Sequence, residues 1–245
     1  MLDACSAHSA EARDHLIVAL DVPSASQARE LAIRLRDTCR WMKVGLELYL
    51  AGGRAVVEEL AGMGLSIFLD LKFHDIPNTV AAAVRSAASC GVSLLTVHAA
   101  GGPAMLAAAV AAAENTENAP QILAVTVLTS MDATQLGAIG VGSSPASQVL
   151  HLARMAQAAG ISGLVCSGEE TALLRQQLGP EMRLVVPGIR PAGGGAGDQK
   201  RIATPADAIR SGADMLVVGR PITRASDPAQ AAEAILTEIA RALTE

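Results

Sequence analysis

Along this chain, near-continuous apolar runs end abruptly in polar residues, and the runs recur at fairly even intervals. They are "HLIVALDV", "WMKVGLEL", "LSIFLDLKF", "SLLTVHAA", "QILAVTVLTS", "GLVCSG", "RLVVPGIRP" and "DMLVVGRPI". A strand apolar at nearly every position suits a parallel sheet covered on both faces. Between the runs lie helix-like segments: "SASQARELAIRLRDTC" behind a Ser cap, "PNTVAAAVRSAASCG" closed by Gly91, "GGPAMLAAAVAAAE" and the C-terminal "DPAQAAEAILTEIARALT". Roughly eight strand–helix units predict a closed (β/α)8 barrel, the TIM-barrel architecture, with an open doubly wound sheet as the alternative. No composition shift or low-complexity linker interrupts the pattern, so a single α/β domain is expected over residues 15–245. Residues 1–14 are expected to form a disordered or peripheral tail. The one irregular segment, "RPAGGGAGDQKR" from Arg190 to Arg201, follows the seventh strand and reads either as a surface loop or as a mobile lid over the catalytic face.

In such a barrel the chemistry sits at the C-terminal ends of the strands. Those ends carry Asp21, Lys43, Asp70 with Lys72, His98, Thr129 with Ser130, Arg190 and Arg220. The last two, "VVPGIRP" and "VVGRPI", join a glycine to an arginine, where backbone N–H groups and a bidentate donor can hold a phosphate. Arginines paired with neighbouring acids would be the structural alternative.

The densest signal is "LDLKFHDIPNTV", Leu69 to Val80. Strand alternation places Asp70 and Lys72 on one face and His74 off it, which favours a structural role for His74. Burying these charges is costly unless they pair. Asp70, Lys72 and Asp75, with Lys43 from the preceding strand end, can alternate in sign. Opposite charges ~4 Å apart attract by about 4 kcal/mol at an effective dielectric of ~20, so the group can hold itself ionised. An ion cluster serving only the scaffold is the alternative. As chemistry, Lys72 can give a proton to a carbanion while Asp70 repels or desolvates a substrate carboxylate. Decarboxylation with protonation at the same carbon fits both roles.

Composition narrows the class. Half of the 245 residues are hydrophobic (51%), which supports a large core, and a net charge of −5 argues against a nucleic-acid binder. Cys5, Cys39, Cys90 and Cys166 are widely spaced, suggesting neither zinc nor disulfides but idle thiols in a reducing compartment. The N-terminus lacks the apolar segment of a secretory signal and no stretch suits a membrane span, so a cytoplasmic protein is expected.

Read in order from about Leu16 to Asp227, "ALDVPS", "MKVGLELY", "DLKFHDIPNTV", "TVHAAGG", "VTVLTSM", "VPGIRP" and "VVGRPIT" resemble the bacterial orotidine 5′-phosphate decarboxylase family. The resemblance implies a dimeric barrel with sites at the subunit interface, using neither metal nor organic cofactor. It would convert orotidine 5′-monophosphate to uridine 5′-monophosphate and CO2, the last step of pyrimidine nucleotide synthesis. It makes Lys72 the acid that protonates C6 and sets Asp70 against the departing carboxylate. Asp75 would reach into the partner's site to complete the network with Lys43, and Ile76 and Thr79 of the same motif would also contact substrate. Asp21 and Lys43 would hold the ribose, Thr129 or Ser130 the pyrimidine edge, and Arg220 with Gly219 the phosphate. Gln199 would bridge phosphate and base, with Pro187 and Arg190 in the same pocket. Two rivals are a magnesium-dependent decarboxylase of sugar keto-acid phosphates, which shares D-x-K-x-x-D, and a barrel that binds phosphate ligands without catalysis.

Overall fold

The alternation that makes each apolar run two-sided is resolved in a computed structural model describing residues 11–191 and 203–245. Among these residues eight parallel strands close in sequence order. They are β1 (Leu16–Ala19), β2 (Trp41–Gly45), β3 (Ser66–Phe73), β4 (Leu94–His98), β5 (Gln121–Val125), β6 (Gly163–Val165), β7 (Arg183–Val186) and β8 (Met215–Val218). β8 pairs back onto β1 through Leu16 to Val18 beside Leu216 to Val218, which completes the (β/α)8 barrel.

Each run is apolar throughout because alternate residues enter different cores. Ile17, Ala19, Phe68, Leu94, Leu123, Val185, Met215 and Val217 pack together inside the barrel, with Trp41 and Val165 against them. The residues between them, such as Leu16, Val18, Met42, Val44, Ile67, Leu69, Leu95 and Val97, belong to the larger core between strands and helices. That outer core is covered by α1 (Ala25–Leu35), α2 (Leu46–Gly62), α3 (Pro77–Ala88), α4 (Gly102–Glu114), α5 (Ala133–Ala138), α6 (Pro145–Ala158), α7 (Thr171–Leu178), α8 (Pro205–Arg210), α9 (Arg220–Thr223) and α10 (Pro228–Leu243). The expected Ser cap is in place, Ser24 accepting from the Gln27 N–H at the head of α1, and Asp227 likewise accepts from Ala229 and Gln230 at the head of α10. Gly91 follows α3 with φ 76°, a conformation glycine adopts without strain.

Two sequence expectations change. Residues 11–14, assigned to the tail, are already part of the barrel's underside. Ala12 is fully buried in the outer core, Asp14 pairs with Arg40 at 2.8 Å, and the next residue, His15, meets the Asp214 carbonyl at 2.6 Å. A short apolar side chain between charges gave no periodic signal there. The second concerns β3, whose register with β4 shifts between Leu69 and Phe73, with Lys72 at φ 53°. Plain alternation therefore does not carry through to Lys72.

Phe68 is the largest side chain fully buried in the barrel interior, directly preceding the charged end of β3. Phe68→Ala should lower the unfolding free energy by about 3–5 kcal/mol, because the barrel cannot collapse around the void. Urea denaturation reads this directly, and a loss under about 1 kcal/mol would show that the interior repacks.

Candidate active site

The inward-facing positions turn from apolar to ionic at one level. Ala19 is followed two residues on by Asp21, Trp41 by Lys43, Phe68 by Asp70 and Leu94 by Thr96. Strand pairing sets these polar ends beside one another, with Gly45 of β2 opposite Asp70 of β3. The outcome is a continuous chain of charge. Lys43 Nζ lies 2.9 Å from Asp21 Oδ1 and 3.5 Å from Asp70 Oδ2, and Lys72 Nζ lies 2.8 Å from Asp70 Oδ1. Gly45 leaves room for it, since a Cβ there would come within 2.9 Å of Lys43 Nζ.

Burial grades along the chain. The Asp21 side chain is 57% exposed, while those of Lys43 and Asp70 are 10% and 12% exposed and that of Lys72 is 29% exposed. Burial by itself favours the neutral form of Asp70, yet the Lys43 and Lys72 charges, with hydrogen bonds from Lys72 and Thr96, hold its carboxyl below the ordinary carboxylate range. Burial likewise disfavours the Lys43 ammonium, but Asp70 and Asp21 outweigh it and raise its proton affinity. Both groups therefore stay charged throughout the neutral range.

The chain forms one wall of a cavity of about 440 Å³ at the C-terminal mouth of the barrel. Phe68, Val125, Val165 and Val217 supply its apolar floor. Thr129, Pro187, Gly188, Arg190, Gly219 and Arg220 complete the rim. Of the expected site residues, Asp21, Lys43, Asp70, Lys72, Thr129, Pro187, Arg190, Gly219 and Arg220 thus converge on one space. Ser130 is exposed and lies off the cavity wall, as do Asp75, Ile76 and Thr79. Asp75 accepts from the Ile76 N–H at 2.7 Å and is absent from the ion chain among the described residues. Gln199 falls outside the described residues.

His74 and His98 meet with tilted rings beside the site, ring centres 5.5 Å apart and planes at 42°. Burial, with the nearby His74 and Lys72, lowers the proton affinity of His98. Sequence reasoning missed Glu47, Leu128, Cys166 and Arg224 on the cavity wall, and Thr96 beneath it. Arg224 lies one helical turn past Arg220 and Thr96 two residues past the inward Leu94, so both were recoverable from spacing. Among the described residues, no three His, Cys, Asp or Glu side chains gather as a metal site would require.

A family model described as orotidine 5′-phosphate decarboxylase / HUMPS family matches residues 14–235. The chain belongs to that family. An orotidine 5′-phosphate decarboxylase of Halorhodospira halophila is 53% identical over 227 residues, covering 93% of this chain and 96% of that protein. One from Rhodopseudomonas palustris is 54% identical, covering 94% and 96%. Among solved structures, the orotidine 5′-phosphate decarboxylase of Lactobacillus acidophilus superposes with a TM-score of 0.82 at 39% identity, covering 92% of this chain and 99% of that one. The likeness to that solved structure agrees with the (β/α)8 barrel.

The pH dependence of stability follows from the Asp70 shift. A carboxyl whose proton affinity is lower folded than unfolded stabilises the fold above its unfolded pKa of about 3.9 and loses that contribution as pH falls through the folded value. The difference in urea stability between wild type and Asp70→Asn should therefore hold steady from about pH 8 to about pH 5 and change in favour of the variant below about pH 4. A difference that titrates instead near neutrality would contradict an ionised Asp70.

Proposed function

We propose that this enzyme decarboxylates orotidine 5′-monophosphate, giving uridine 5′-monophosphate and CO2, the closing step of pyrimidine nucleotide synthesis. The observation that carries the reading is the Lys72 ammonium, held 2.8 Å from a buried, ionised Asp70 on the wall of a cavity whose rim also carries arginines and glycines. The family membership and relatives of that name support it.

The substrate's phosphate would lie against Arg220 and the Gly219 backbone, its ribose against Asp21 and Lys43, and its base edge near Thr129. That pose presses the substrate carboxylate toward Asp70, whose ionised form repels it. The C6–carboxyl bond breaks, CO2 departs, and the electron pair stays on C6 in an sp² orbital that the ring π system cannot absorb. Lys72 Nζ, already oriented by Asp70, offsets that charge and passes one proton to C6. The resulting neutral amine regains a proton from solvent. Binding energy gathered at the remote phosphate holds the repelled carboxylate in place, so phosphate contacts support the chemical step as well as capture.

The same reading makes the protein a homodimer in which Asp75 enters the partner's site, joining the network at Lys43, with Ile76 and Thr79 alongside. The exposure of Asp75 fits this, as do the bare apolar side chains Leu46, Leu50 and Ile76, which are 56%, 84% and 67% exposed. Such side chains at the site's edge are what an interface would cover.

Three measurements follow. In EDTA, wild type should convert orotidine 5′-monophosphate with loss of its ultraviolet absorbance; no turnover by folded protein, or turnover abolished by EDTA and restored by magnesium, would defeat this reading. Lys72→Ala should remove measurable turnover with the fold intact, whereas Arg220→Ala should chiefly raise KM; Lys72→Ala activity within about tenfold of wild type would exclude Lys72 as the acid. Mixing inactive Lys72→Ala and Asp75→Asn protomers should restore about a quarter of wild-type activity, because half the dimers are mixed and each of those holds one intact site. Two inactive variants that stay inactive after subunit exchange would place Asp75 within its own protomer's site.

A further inference from the structure

Thr96 lies two residues past Leu94 on β4, fully buried, beneath the ion chain rather than on the cavity wall. Its single hydroxyl makes two bonds of different kinds. Oγ1 accepts the backbone N–H of Lys72 at 2.9 Å and donates to Asp70 Oδ1 at 3.1 Å. Asp70 Oδ1 is the same oxygen that receives the Lys72 ammonium at 2.8 Å. The hydroxyl thus closes a ring from the Lys72 backbone through Thr96 and Asp70 to the Lys72 side chain.

This ring lies where β3 departs from regular pairing. Register between β3 and β4 shifts from Leu69 to Phe73, so the Lys72 N–H is served by a side chain of β4. Lys72 is also the one residue other than glycine with positive φ among the described residues, at 53°. A left-handed backbone is strained for an L-residue and persists only where its surroundings hold it. Threonine supplies in one group both the acceptor the displaced N–H needs and the donor the carboxylate needs.

We propose that Thr96 is a positioning residue for the decarboxylation: its hydroxyl holds Lys72 in the left-handed backbone and turns the Asp70 carboxylate so that the Lys72 ammonium faces the cavity. The inference rests on the function proposed above, but its geometric half can be judged without it. Thr96 does not touch substrate, so its loss should fall on kcat. The ammonium would be misplaced where charge develops, while the phosphate and ribose contacts that govern capture stay as they are.

The experiment compares Thr96→Val, which keeps the shape and removes the hydroxyl, with Thr96→Ser, which keeps the hydroxyl and removes the methyl. The expected result is that Thr96→Val lowers kcat roughly 10- to 100-fold with KM within about threefold, and that Thr96→Ser recovers most of the loss. Thr96→Val with kcat within about twofold of wild type overturns the proposal. So does a Thr96→Ser variant as impaired as Thr96→Val, since packing and not the hydroxyl would then be responsible. If Thr96→Val fails to fold, Thr96→Ala takes its place under the same criteria. Crystal structures of wild type and the folded variant supply the second readout. Lys72 leaving positive φ, or its ammonium leaving Asp70, supports the positioning role even if wild type proves inactive on orotidine 5′-monophosphate. An unmoved Lys72 and Asp70 overturn it whatever the activity.

Discussion

The buried pairing of Asp70 with Lys43 and Lys72 is the interaction on which the rest of this site depends. A carboxylate with a 12% exposed side chain among strand ends would take up a proton were it alone, because burial favours its neutral form. Two ammonium groups at 3.5 and 2.8 Å reverse that preference. The reversal has a condition, since Lys43 is itself buried and needs a counter-charge, which Asp21 provides from the solvent edge. Acid, base, acid, base therefore run from water into the barrel mouth, and each charge is tolerated because of the next.

The barrel makes this chain possible by fixing four strand ends at one height. Parallel pairing in sequence order places β1 to β4 side by side, so Asp21, Lys43, Asp70 and Thr96 become neighbours although 75 positions separate the first from the last. Phe68, Leu94 and Leu123 fill the interior just below and deny water a route from underneath. Ions above an apolar plug interact through a medium of low effective dielectric, which strengthens their mutual hold and any field they exert on a bound molecule. The same plug that stabilises the barrel thereby raises the electrostatic influence of the residues above it.

Much of this was readable beforehand, for identifiable reasons. The eight apolar runs marked the strands because parallel strands are oily on both faces, and the abrupt polar endings marked the functional level. Reading the C-terminal strand ends led to Asp21, Lys43 and Asp70. The spacing failed where the backbone stops being regular. Nothing in "LDLKF" announces that Lys72 is left-handed, since lysine has no preference for that region and the cause lies on another strand. Thr96 lay within reach of the same spacing, two residues past Leu94, but threonine is an ordinary strand former and its bonds to Lys72 and Asp70 show only when β3 and β4 are seen together. The seating of Ala12 under the barrel was missed because one alanine among charged residues makes no pattern. Ser130 beside Thr129, and Asp75 apart from the ion chain among the described residues, show the remaining limit: a motif names residues without saying which of two neighbours faces inward or which side chains join the network.

The strained backbone at Lys72 bears on why the site can act at all. A lysine in a regular strand would carry a long, mobile side chain whose ammonium must give up rotational freedom each time it meets a developing charge. Here the freedom has already been removed on folding: the backbone is held by the Thr96 hydroxyl and the ammonium by Asp70, which is itself held by Lys43. In the proposed reaction, an ammonium fixed in advance would need no reorganisation as negative charge develops on the substrate carbon, which is the condition under which electrostatic stabilisation lowers a barrier rather than merely tightening binding. The cost, a positive φ at Lys72 and a buried Lys43, is borne by the whole barrel, whose stability comes from its apolar layers. Such a division lets a metastable arrangement persist at the mouth of a stable fold.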